Sequence, residues 1–170
     1  DPKKIDEACE ILINAKKPIA IVDYIGKDQE SIQSLVDLAE QLSLPVLDLG
    51  SLLNFPTEHQ LNITGSSNKL INEADAILAL NVFDLEEALT TVNQYTRETL
   101  TQTNKASKLI DVSLRHYSIR GWLSDYGKLM PADISIASEA TSAINGIKAG
   151  VSNKIHTDKT LKRNIDIRKK

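Results

Sequence analysis

One cysteine, Cys9, stands in the 170-residue sequence. An internal disulfide framework is therefore excluded, and a reducing, cytoplasmic compartment is the expected setting. No apolar run approaches the roughly 20 residues that cross a bilayer, and the chain does not open with the charged, apolar, small-residue order of a secretion signal. Aromatic residues make up only 4% of the chain. That is too few to extend a stacking platform around "RHYSIRGW", Arg115 to Trp122, which reads instead as a loop packing its Trp against the body. A formal charge of −3 and a pI near 5.6 give no general field for nucleic acid or anionic membrane. Neither is an expected partner.

Glycine is scarce where it would matter most. The segment "DYIGKDQES" offers Gly26 alone, where a dinucleotide-binding turn needs several glycines to bend and to approach a pyrophosphate. Nucleophilic hydrolysis lacks its G-x-S-x-G elbow, and His59, His116 and His156 fall in unrelated segments without metal spacing. Local hydrogen bonding or surface exposure is the expectation for His59 and His116. A receiver-type phosphorylation domain needs paired acids after its first strand and an acceptor Asp ending its third; those places hold a lone Asp23 and Asn81.

What is present is the alternation of an α/β protein. The length and a 41% apolar content suit one well-buried core. Ile5, Ala8, Cys9, Leu12 and Ile13 recur at helical spacing, so Lys3 to Ala15 reads as an amphipathic helix with Cys9 a buried structural thiol on its apolar face. Asp1 is a plausible N-cap and Pro2 fits the first helical position, as though a domain had been cut at a helix start. "PIAIVDY" reads as a buried parallel strand, "KDQESIQSLVDLAEQLS" as a helix and "LPVLDLG" as a second strand. A short helix around Leu70, Ile71 and Ala74 precedes a third strand, "DAILALN". Leu85 to about Leu100 looks partly helical, and "SKLIDVS" and "ADISIAS" supply two more strands. "SEATSAINGIKAG" closes as a helix with Ser138 as N-cap and Gly150 as its stop. The fold expected is a Rossmann-like parallel sheet with helices on both faces over residues 1–150. Residues 151–170, with seven Lys or Arg against two Asp, read as a basic linker or tail.

In such sheets ligands bind beyond the carboxyl ends of the strands. Asp48, ending the second strand, could bond a ribose but reads better as an ordinary polar strand end. "TGSSNKL" could hold a phosphate on the N–H groups of Ser66 and Ser67, although a capping serine is the plainer account. Asn81, Asp84, Asp111 and Ser113 could converge over the sheet edge.

The order "EILINAKKPIAIVDYIG", "LAEQLSLPVLD", "FPTEHQLNITG", "EADAILALNVFD" and "KLIDVS" resembles the central domain of thiamine diphosphate-dependent enzymes, acetolactate synthase-like members above all. The resemblance runs from Lys3 to about Gly150. It implies a parent with thiamine diphosphate and Mg held by flanking pyrimidine- and diphosphate-binding domains, assembled as a homo-oligomer. The cofactor-activating Glu and the metal-binding "GDG" belong to those domains and are not found here. The parent would decarboxylate a 2-keto acid or pass its carbon unit to an acceptor, while this fragment alone would be inactive. In flavin-containing members FAD lies along the strand ends, and the carry-over touches Gly26, Asn81, Phe83, Asp84, Asp111 and Ser113. The sequence departs from that pattern in lacking paired glycines after the first strand and in having Asn81 where a glycine commonly stands. That favours a structural or vestigial version, with a stand-alone nucleotide-binding module for FAD, NAD or ADP as the alternative.

"LGSLLNFPTEHQLNITG", Leu49 to Gly65, keeps neither a helical nor a strand period. So long an irregular connection in a small domain points to contact. Pro56 and Gly65 read as turn makers, and Leu52, Leu53 and Phe55 as apolar groups exposed for a neighbouring domain or a flavin. The loop is expected to be more mobile than its flanks.

Overall fold

The computed structural model describes residues 1–27, 29–64, 67–93, 95–114 and 130–155. In chain order these form α1 (Pro2–Asn14), β1 (Pro18–Val22), α2 (Gln29–Leu42), β2 (Val46–Asp48), α3 (Ser67–Glu73) and β3 (Ala76–Leu80). There follow α4 (Leu85–Leu89), β4 (Thr90–Val92), β5 (Thr99–Thr101), β6 (Lys108–Val112), β7 (Ile134–Ile136) and α5 (Ala140–Lys154). Five strands pair in the order β2-β1-β3-β6-β7, all parallel. The chain order reverses between β1 and β3, which is where a doubly wound sheet opens its crevice.

Alternation along each strand divides the core. Ala20, Val22, Val46, Leu78, Leu80, Ile110, Val112, Ile134 and Ile136 face one side, packed with apolar residues of α1, α2 and α5. Ile19, Ile21, Leu47, Ile77, Ala79 and Leu109 face the other, with Ile71 and Ala74 at α3 and Leu89 of α4. A strand buried on both faces has no polar side to show, which is why "PIAIV" and "AILAL" are continuous apolar runs. Cys9 is buried in the first cluster, as its helical position implied. Desolvation raises its thiol above the ordinary range.

The amino-terminal ends of the strands are pinned by carboxylates. Asp75 accepts from the backbone N–H groups of Lys16 and Lys17 at 2.7 and 2.8 Å, tying the turn into β1 to the turn into β3. The aspartate of "EAD" thus holds the lysine turn of "NAKKP" in place. Asp133 does the same for β6, accepting from Lys108 Nζ at 2.6 Å and from Leu109 N at 2.9 Å.

The partly helical segment resolves into helix over Leu85–Leu89 and an antiparallel ribbon of β4 and β5 beyond it. Thr90, Thr91 and Val92 in succession are β-branched and disfavour continued helix. Two expectations at the last helix are corrected. Ser138 does not cap α5: Glu139 holds that position with no side-chain cap bond, while the Ser138 hydroxyl donates to the Glu139 carbonyl. Gly150 is no stop, since α5 continues to Lys154. Its lack of a side chain serves packing instead, because a Cβ there would lie 2.7 Å from Cys9 Sγ.

Two outcomes follow from these contacts. Gly150→Ala should overpack the crossing of α1 and α5 at a cost of about 1–3 kcal/mol. In Gly150→Ala/Cys9→Ala, with the thiol gone, the second substitution should recover part of that loss; additive costs in urea unfolding would show no such contact. The second concerns acid. The Lys108 side chain first, and then the Leu109 N–H, hold the Asp133 carboxyl below its usual range. A depressed folded value gives stability that is present above the unfolded value and lost as pH falls through the folded one. Unfolding on acidification below about pH 4 should therefore be shallower in Asp133→Asn, and an unchanged acid limb would remove this group from the account.

Candidate functional site

At the carboxyl edge between β1 and β3, two non-glycine residues adopt left-handed backbone, Tyr24 with φ 48 and Asn81 with φ 52. Such conformations concentrate where a chain is forced to turn sharply at a site. Asn81 N donates to the Val112 carbonyl at 2.9 Å, and its side-chain amide reaches the Tyr24 carbonyl at 3.5 Å. Asparagine tolerates this region better than other side chains, so Asn81 can stand where a glycine would otherwise be required.

The turn after β1 meets the loop after β2 backbone to side chain. Ile25 N and Gly26 N both donate to Asn54 Oδ1, at 2.8 and 2.9 Å. Asn54 is fully buried, and its amide nitrogen donates to Asp48 Oδ1 at 2.7 Å and to the Leu52 carbonyl at 2.9 Å. The Asp48 carboxylate also accepts from Gly50 N, Asn54 N and Phe55 N. Asp48 is thus no idle strand end but the acceptor around which the loop is wound. Close packing completes the join: a Cβ on Gly26 would lie 2.2 Å from the Leu53 carbonyl oxygen.

Phe55 overturns the expectation of a loop open to a partner along its length. Its side chain is fully buried in the domain's own core. Its ring meets that of His59 edge-on, with centroids 4.9 Å apart. His59 Nδ1 accepts from Leu61 N, which leaves Nε2 to carry the proton toward Glu40 Oε1 at 3.3 Å. The local role expected of His59 is the one it has. Beyond it, Val46 N donates to the Leu61 carbonyl and Ile63 N to the Val46 carbonyl, so the returning loop covers the outer edge of β2. Leu53, by contrast, is 63% exposed, and Leu52 is half-buried.

The remaining named positions divide. Asp84 is buried and caps α4, accepting from Glu87 N at 3.0 Å. Phe83 is half-buried beside it in sequence. Ser113 is buried, with its hydroxyl 3.4 Å from Asp111 Oδ2. These six positions lie at or just beyond the carboxyl ends of three strands: Gly26 in the turn after β1, Asn81, Phe83 and Asp84 after β3, Asp111 in β6 and Ser113 directly after it. Among the described residues no three His, Cys, Asp or Glu side chains gather as a metal-binding group. Gly65, Ser66, His116, Trp122 and His156 lie outside the described residues, as does most of the basic tail. Asn54 is the residue that reading the sequence missed; the "LLN" before "FP" was its only signal.

A parallel sheet whose strand order reverses between β1 and β3 defines a doubly wound, Rossmann-like α/β domain. The family can be stated more closely. The model of the thiamine pyrophosphate enzyme central domain matches residues 5–147, and the chain belongs to that family. No curated protein sequence matches it significantly. Among solved structures, a Mycobacterium smegmatis protein titled as a thiamin diphosphate-dependent enzyme is 16% identical with a TM-score of 0.63, over 89% of this chain and 28% of that one. Benzoylformate decarboxylase from Polynucleobacter necessarius is 20% identical with a TM-score of 0.64, over 89% of this chain and 27% of that one. At such identities the likeness is one of fold, and the chain spans just over a quarter of either relative's length.

Asp48→Ala should loosen the loop at a cost of about 3 kcal/mol or more, since it strands the buried Asn54 amide and the N–H groups of Gly50 and Phe55. A urea midpoint close to that of the unaltered chain would show the loop to be held otherwise.

Proposed function

We propose that the chain is a scaffold: the non-catalytic central domain of an acetolactate synthase-like, thiamine diphosphate-dependent enzyme, cytoplasmic and homo-oligomeric, that decarboxylates a 2-keto acid or transfers its carbon unit. Thiamine diphosphate and Mg would be held by the flanking pyrimidine- and diphosphate-binding domains, and the diphosphate cofactor supplies the decarboxylation chemistry there. The observation that carries the scaffold reading is the match of residues 5–147 to the central-domain family, joined to a turn after β1 that the chain's own post-β2 loop packs against.

The residues present do not fit a flavin at this edge. The space above Gly26, where a ligand would approach the backbone, holds the Leu53 carbonyl, and Asp48 is committed to the loop. Asp84 and Ser113 serve a helix cap and the end of β6. The rim instead offers apolar side chains: Tyr24 after β1, Leu49 and Leu53 after β2, and Leu114 after β6 are all more than a third exposed. Such a row suits contact with a flanking domain better than a polar cofactor.

Titrating the chain with FAD, NAD and ADP should give no saturable binding, followed for FAD by its own fluorescence. Stoichiometric uptake of any of them would overturn the scaffold reading in favour of a nucleotide-binding module. The product of the whole reading frame should release carbon dioxide from a 2-keto acid only with thiamine diphosphate and Mg, with no gain from added FAD.

A further inference from the structure

Apart from the carboxyl rim, the large apolar side chains exposed among the described residues are all on the β4–β5 ribbon: Val92, Tyr95 and Leu100. The ribbon is a preformed piece. Asn93 Oδ1 accepts from Tyr95 N and Thr96 N, Asn93 N donates to the Glu98 carbonyl, and Arg97 N donates to the Asn93 carbonyl. At its root Gln102 N donates to the Leu89 carbonyl, and Gln102 Nε2 to the Thr90 carbonyl. A two-stranded ribbon exposed on both faces is marginal in water, and its strands carry none of the Lys or Pro residues that usually protect an open edge.

The register says which edge is open. Asn93 with Glu98 and Leu89 with Gln102 are bonded pairs, so Thr91 with Leu100 is the next bonded pair between them. The N–H and carbonyl groups of Thr99 and Thr101 consequently point away from β4, along an edge where all three residues are exposed. The corresponding edge of β4 is already engaged at Thr90, whose carbonyl takes the Gln102 amide and whose hydroxyl donates to the Glu86 carbonyl at 2.6 Å.

We propose that β5 is a strand-addition edge for β5 of a second copy of this chain, joining two ribbons into one four-stranded antiparallel sheet about a two-fold axis at Leu100. The sequence "ETLTQ", Glu98 to Gln102, is self-complementary in that register. Thr99 of one copy faces Thr101 of the other as a bonded pair, using the outward groups of both. Leu100 faces Leu100 as a non-bonded pair, the closer type, which covers the half-exposed side chain of each. Glu98 faces Gln102, so no like charges oppose each other. A partner of different sequence has no such symmetry to exploit, and a two-fold contact uses the same patch on both copies.

Cross-linking of the full chain tests this. Leu100→Cys, oxidised with glutathione disulfide, should give a covalent dimer roughly tenfold or more faster than Tyr95→Cys, because the two-fold axis raises the effective concentration of one thiol for the other. Tyr95 is the more exposed of the two, at 97% against 54%, so collisional cross-linking predicts the opposite order. Thr99→Pro removes one outward N–H at a position where an edge strand tolerates proline, and in the Leu100→Cys background it should abolish the advantage. Equal rates for the two cysteines, a faster Tyr95→Cys, or an advantage that survives Thr99→Pro would each overturn the proposal. The native Cys9 is buried and contributes no background.

Discussion

A carboxylate removed from water must find hydrogen-bond donors or lose its charge, and Asp48 finds them in its own following loop. Gly50, Asn54 and Phe55 supply backbone N–H groups, and Asn54 adds its side-chain amide. Once Asn54 is fixed, its carbonyl oxygen has one place to go, the N–H groups of Ile25 and Gly26 beyond β1. The carboxyl ends of two neighbouring strands are thereby bound together without a sheet hydrogen bond. The same winding drives Phe55 inward, and with it the His59 ring and the return of residues 61–63 along β2. An irregular segment thus becomes the cover for the outer edge of β2 and packs against the turn after β1.

That arrangement decides what the domain can do. In a doubly wound fold the reversal between β1 and β3 is where a ligand would enter, and a glycine after β1 is the means of entry. Here Gly26 keeps its place, but what approaches it is Leu53 of the same chain. Left-handed backbone at Tyr24 and Asn81 makes sharp turns on either side of this reversal. The opposite edge is built differently, from Asp75 and Asp133 gripping backbone N–H groups and lysines at the strand starts. One edge is therefore hydrophilic and closed by its own charges, while the other ends in exposed Tyr24, Leu49, Leu53 and Leu114.

Much of this was legible in the sequence where side-chain period reports burial. Continuous apolar runs gave the parallel strands, and three-to-four spacing gave α1 and α2 with Cys9 inward, because burial on a regular element repeats with the element. Phe55 was misread for the converse reason: in a segment without a period, direction is set by hydrogen bonds to Asp48, which are made across a loop rather than along it. Asn54 carried little signal because its partners, Ile25 and Gly26 after β1 and Asp48 ending β2, are distant in sequence or set by the loop's own winding. Gly150 looked like a helix stop, yet its cause lay on α1, 2.7 Å from where its Cβ would be. At Leu85 to Leu100 the early carboxylates and leucines suggested helix, and only the β-branched run at Thr90–Val92 spoke against it.

The exposed apolar surface that remains has a common logic. A domain of this size can bury its core and still leave apolar atoms outside, but scattered ones need no explanation, whereas these collect at two places. Helices α1, α2 and α5 and the amino-terminal edge contribute none of the large exposed apolar side chains among the described residues. The carboxyl rim carries left-handed backbone at Tyr24 and Asn81, and the ribbon is a two-stranded hairpin with left-handed backbone at Arg97. Regular elements of this chain satisfy themselves; its irregular ones leave surface for something else. The scaffold role proposed above would draw on that division, with a self-sufficient centre and contacts confined to its margins.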